Sequence, residues 1–162
     1  MMNAADLDSF ITSHAIAAQI VFLADETPTV ETAATAAGIT PVQIVKSVLF
    51  LVKEEAGAPR PVLVIGNGYH RINWRRLADH LAVSRRRLRL ADAEQVQAIT
   101  GFPVGTVPPF GHRTPLPTLL DEQVLAQTLV YAGGGAINAL MRLHVAELQR
   151  VLQAPVVNLT KP

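Results

Sequence analysis

The sequence predicts an α+β fold, a single domain over residues 1–162 built around a mixed sheet. Three observations lead there. Apolar, β-branched runs at 47–52 and 62–65 flank a turn-rich segment holding Gly57, Pro59 and Pro61, the pattern of antiparallel partners. Strand and helix patterns are interleaved, but without the regular βαβ rhythm of a parallel sheet. A chain of 162 residues, 49% hydrophobic and 17% charged, is large enough to bury one core and too apolar for disorder.

The elements follow in order. Asp6 and Asp8 put acids at the positive end of an N-terminal helix reaching His14. Residues 17–23 form a first strand. A threonine cap, Glu31 early and Gly38 at the end mark 29–37 as a helix, and Thr40-Pro41 starts a short helical turn. The paired strands 47–52 and 62–65 come next. Asn73 caps a helix to Leu81, in which Trp74, Leu77, Ala78 and Leu81 share one face. Residues 84–90 read as a half-exposed strand, with Leu88 and Leu90 opposite Arg87 and Arg89. Asp92 opens a helix to Ile99. Short strands are expected at 116–120, 128–131 and 139–143, a tight turn at 133–135, a last helix at 145–152 and a closing segment at 156–159.

Composition removes several kinds of chemistry. Without cysteine there is no disulfide, thiolate metal site or cysteine nucleophile. The N-terminus lacks a signal-peptide pattern, and no apolar run approaches the ~20 residues of a membrane span, so a cytoplasmic protein without membrane attachment is expected. The histidines at 14, 70, 80, 112 and 144 have no metal-ligand spacing, and neither a metal nor another cofactor is expected. No serine lies in a Gly-x-Ser-x-Gly elbow. The segment Gly66-Asn67-Gly68 is a poor dinucleotide loop, because Arg71 stands where the third glycine belongs.

What remains points to the main chain. Residues 101–111 hold three glycines and three prolines, a composition that presents rigid amides to a carbonyl or phosphate oxygen. Lys46, beside the apolar run 47–52, either snorkels to water or meets an anion. Gly133, Gly134 and Gly135 form a hairpin turn or a second backbone wall. Seven of the fourteen Lys and Arg residues fall between Arg71 and Arg89 against one acid, Asp79, which attracts a polyanion or forms a solvated face.

The ordered set Glu26-Thr-Pro-Thr-Val-Glu31, Ile44-Val-Lys46-Ser, Gly101-Phe-Pro-Val-Gly105, Pro108-Pro-Phe-Gly111, Pro117-Thr-Leu-Leu-Asp121 and Tyr131-Ala-Gly-Gly-Gly135 resembles the YbaK-like aminoacyl-tRNA deacylases, relatives of the editing domain of bacterial prolyl-tRNA synthetase. The likeness spans roughly residues 17–158. It implies a barrel-like, largely antiparallel sheet flanked by helices, and hydrolysis in trans of tRNA(Pro) carrying alanine, cysteine or serine. Prolyl-tRNA synthetase and mischarged tRNA, not DNA, are the implied partners. On this resemblance Lys46 and Gly101 are the catalytic positions. Thr29, Phe102, Pro103, Val104, Gly105, His112 and Gly133 to Gly135 are the substrate-binding ones. Arg71, Arg75, Arg76 and Arg86 are assigned to the acceptor stem. Water, or the thiol of a cysteinyl substrate, is the expected nucleophile. A non-catalytic module that binds tRNA or a synthetase is the alternative. The segment Ala136-Ile-Asn-Ala-Leu140 departs from the basic pattern of cysteine-specific members, leaving other small amino acids open.

Overall fold

The computed structural model describes residues 1–27 and 29–160. Its elements are α1 (Ala4–Ser13), β1 (Ala18–Phe22), α2 (Val30–Ala37), β2 (Val45–Val52), β3 (Arg60–Asn67), α3 (Trp74–Leu81), β4 (Leu88–Leu90), α4 (Ala93–Thr100), β5 (Thr118–Asp121), β6 (Leu129–Gly133), β7 (Ala139–His144), α5 (Val145–Leu152) and β8 (Val156–Val157). The α+β class stands, and most pairs are antiparallel. The sheet is not one closed barrel. It is divided into a three-stranded sheet ordered β1-β7-β6 and a five-stranded one ordered β4-β2-β3-β5-β8. The parallel pairs β3·β5 and β5·β8 supply the mixed character.

The hairpin β2–β3 pairs antiparallel as expected, in a register that sets Ser47 opposite Ile65 and Phe50 opposite Val62. Its alternation feeds two cores. Val45 and Leu49 join Phe102, Val107, Val130, Ala132 and Met141 in the layer between the sheets. Phe50 and Val52, one residue out of phase, pack with Leu77 and Ala78 of α3 on the far face. Among the described residues, a bridge from Ile44 to Tyr131 links the two sheets just before β2. Helix α2 lays Ala33 and Ala34 over Ile44 and Leu140 at that same corner.

One expected strand is shortened. Residues 85–87 form a 3-10 turn, and only Leu88–Leu90 pairs with β2. Arg87, in that turn, donates from Nε to the Lys53 carbonyl at 2.6 Å and pairs its Nη2 with Glu54 at 3.1 Å, bonds that hold the turn against the end of β2.

Asp121 fastens the chain's end. Fully buried, its carboxyl accepts the Leu159 amide at 2.7 Å, the Thr160 hydroxyl at 2.9 Å and the Gln123 amide at 3.1 Å. Removing it strands buried donors. Asp121→Ala is therefore expected to cost about 3 kcal/mol of stability, read as a lower denaturant midpoint. A midpoint within error of the parent would show these bonds to be dispensable.

Candidate active site

A cavity of about 210 Å³ opens where the bridge between the sheets, α2 and the glycine-proline loop meet. Ile44, just before β2, and Val45, Lys46 and Ser47 of β2 form one side, and Ala132, Gly133 and Leu140 form another. Gly105 and Val107 close it from the loop, and Thr27, Thr29, Val30 and Ala33 bound it from α2 and the segment before it. This is smaller than the ~300–1,000 Å³ of sites for drug-sized ligands.

Lys46 sits in β2 opposite Gly66, half-buried, with no hydrogen-bond or ion-pair partner among the described residues. Among the described residues lining the cavity, Lys46 is the one cationic residue, and there is no Asp, Glu or His. Thr29 reaches the cavity as the cap of α2, with its hydroxyl accepting the Thr32 amide at 3.1 Å.

The loop behaves differently from its expected role at Gly101. That residue ends α4 in the left-handed conformation, and its amide donates to the Gln97 carbonyl at 2.9 Å. Its own carbonyl accepts the Met2 amide at 2.7 Å. Gly101 is a helix cap outside the cavity, with no donor left for a substrate. Phe102 is likewise no pocket residue: it is fully buried in the inter-sheet core, with its amide on the Thr100 hydroxyl at 3.0 Å. Pro103 has no N–H, and its carbonyl accepts both the amide and the hydroxyl of Thr106. Val104 is exposed and lies outside the lining.

Gly105 and Val107 line the cavity from the loop, and neither amide has an acceptor among the described residues. Gly105 has a φ of +84°, which suits glycine. The loop around it is clamped. Thr106 bonds back to Pro103, and its carbonyl accepts the Gly135 amide at 3.0 Å. Of the three consecutive glycines, Gly133 alone lines the cavity. Gly134 is packed on the Ala139 backbone and Gly135 on the Ala4 backbone, which makes them structural. His112 is also a brace: its Nε2 lies 2.7 Å from the Pro108 carbonyl, and burial lowers its pKa.

The basic cluster is partly spent on the fold. Arg76 binds Asn158 and the Thr160 carbonyl, Arg85 covers the Trp74 ring at 4.1 Å, and Arg87 is paired with Glu54. Arg71, Arg75 and Arg86 are exposed and make no side-chain bond among the described residues. Sequence reasoning missed Thr27, Ser47, Val107, Ala132 and Leu140. Thr27, Ser47 and Ala132 lie inside the segments that carry the family resemblance, beside residues that were named.

Fold and cavity together define a class: an α+β domain with a small chamber walled largely by main chain and apolar groups and served by one lysine. The chain belongs to the aminoacyl-tRNA editing domain family, whose model matches residues 24–151. It is 30% identical over 96 residues to a proline–tRNA ligase of Limosilactobacillus fermentum, a match covering 59% of this chain and 16% of that enzyme. The chain thus spans only a small part of that relative's length. A solved "putative trans-editing enzyme for prolyl tRNA synthetase" superposes with a TM-score of 0.85 at 34% identity, covering 98% of this chain and 97% of that one. A solved hypothetical protein gives 0.85 at 28% identity, covering 96% and 99%. No helix among the described residues is long and apolar enough to cross a membrane.

Proposed function

We propose that this chain is a trans-acting deacylase that hydrolyses the ester joining a wrong, small amino acid to tRNA(Pro). The observation that carries this reading is that one small chamber is lined by Lys46 together with Gly105 and Val107, whose amides have no acceptor among the described residues. An aminoacyl ester is already activated. Water adds to its carbonyl carbon, charge gathers on the carbonyl oxygen, and collapse expels the ribose oxygen, which takes up a proton as the acid forms.

A preset N–H facing that oxygen supplies ~3 kcal/mol in known hydrolases. Gly105, held by its clamped loop, takes the role first expected of Gly101. Lys46 holds the terminal phosphate or ribose as a fixed point charge. Arg71, Arg75 and Arg86 meet the acceptor stem, and the synthetase that makes the error is the natural partner.

The test is deacylation of alanyl-, cysteinyl-, seryl- and prolyl-tRNA(Pro). Release of one or more wrong amino acids with prolyl-tRNA spared is expected, with tRNA affinity falling steeply as salt rises. Tight binding without turnover would select the non-catalytic module, and salt-independent binding would remove tRNA from the picture.

A further inference from the structure

Among the described residues two large aromatic rings stand out into solvent, Phe22 at 63% exposure and Tyr69 at 65%. Phe22 ends β1 in the three-stranded sheet and is followed by Asp25 and Glu26, both exposed. Tyr69 comes just after β3, the strand on which Gly66 stands opposite Lys46. The turn that carries Tyr69 is firmly built. Buried Asn67 donates from Nδ2 to the Val42 carbonyl at 2.9 Å and accepts the Tyr69 amide on Oδ1 at 2.8 Å. The Gly68 amide donates to the Ile44 carbonyl at 2.7 Å, and a methyl at Gly68 would meet the Val30 side chain at 3.1 Å. Ile44 and Val30 both line the cavity, so this turn packs on two residues of its wall, although Tyr69 itself does not line it. The His70 ring stands nearly at right angles to the Tyr69 ring, with centroids 5.4 Å apart. Arg71 and Arg75, both exposed, follow along the chain.

We infer that Tyr69 is a stacking platform for a base in the unpaired 3′ end of tRNA, holding that strand between the cavity and the arginines of the basic cluster. This rests on the deacylase reading above. A ring left so far in water forgoes most of the burial it could gain, and a flat partner restores it. Unpaired bases have free π faces and are recognised by stacking on aromatic side chains, whereas bases inside a duplex are already stacked. Arginine holds the backbone of either form, so the ring is the group that distinguishes the single strand. The order of features also matches the substrate: cavity, Tyr69 and arginines meet ester, unpaired bases and duplex in turn. Phe22 does not qualify, because exposed acids beside it repel a phosphate backbone.

The experiment measures Kd for uncharged tRNA(Pro) and for the same tRNA lacking its unpaired 3′ nucleotides, using the parent, Tyr69→Ala and Tyr69→Phe. Steady-state deacylation of mischarged tRNA(Pro) is followed alongside. Tyr69→Ala is expected to weaken the intact tRNA by about 5- to 150-fold, the range for losing one stacked base, and to shift the truncated tRNA less than about 2-fold. The loss should appear in KM, with kcat changed less than about 3-fold. Tyr69→Phe, which keeps the ring, should match the parent. The slope of log Kd against log salt should hold in Tyr69→Ala, since no phosphate contact is lost, and fall by about 1 in Arg71→Ala. The melting temperature of Tyr69→Ala should stay within about 2 °C of the parent. Equal weakening of both tRNAs, an unchanged Kd for the intact one, or a Tyr69→Phe variant as weak as Tyr69→Ala would each overturn the platform. So would a large drop in melting temperature, which makes the residue structural. A parent that binds no tRNA or deacylates none overturns the deacylase reading itself, whereas an active parent matched by Tyr69→Ala removes the platform alone.

Discussion

Replacing Lys46 with alanine is expected to lower kcat/KM for deacylation by about 10- to 100-fold without unfolding the protein. The size follows from the loss of one charge-assisted contact, worth about 1.5–3 kcal/mol, at tenfold per 1.4 kcal/mol. The fold should survive because Lys46 makes no ion pair or hydrogen bond among the described residues, so its removal strands no internal partner. Its neighbours in β2 keep their ladder with β3. Lys46→Arg separates charge from shape: a guanidinium keeps the cation but spreads it over a wider plane than an ammonium, so only partial recovery is expected. Single-turnover deacylation beside thermal melts reads both effects. Unchanged rates in Lys46→Ala would remove the lysine from the mechanism. A collapsed melting temperature would make it structural.

Lys46 was legible in the sequence because an isolated cation beside a strongly apolar run has few places to go. The hairpin was legible for a similar reason, since both strands and their turn lie within about twenty residues of chain. Two kinds of feature were not. How the two sheets meet depends on Ile44 bridging Tyr131, a contact between residues far apart in sequence with no local pattern behind it. The role of Gly101 failed on accounting. Asp92 caps a helix, and a glycine just past such a helix ordinarily closes it with its own amide, which is what Gly101 does. Of the glycine-proline loop, Gly105 and Val107 line the cavity, and Gly101 does not.

Gly133→Ala is expected to damage stability and catalysis together. A methyl group at Gly133 would stand 2.7 Å from the Val107 carbonyl carbon and 3.1 Å from the Thr106 oxygen, closer still to the Val107 oxygen. These are backbone atoms, and they cannot yield cheaply. Thr106 is bonded to Pro103 on one side and to the Gly135 amide on the other, and Val107 is buried in the inter-sheet core. Overpacking of this kind costs about 1–3 kcal/mol or more, which for a chain of this size lowers Tm by roughly 3–10 °C. Whatever relief occurs must push the 105–107 segment away from β6, carrying the Gly105 amide with it. A displacement near 1 Å is worth about 100-fold in rate where alignment matters. Gly66→Ala is the matched control, since a methyl there meets nothing within 4 Å, and it should leave Tm within about a degree. Scanning calorimetry and single-turnover rates decide the matter. If Gly133→Ala keeps both Tm and rate, the loop is not clamped against β6, and the preset amide at Gly105 goes with it.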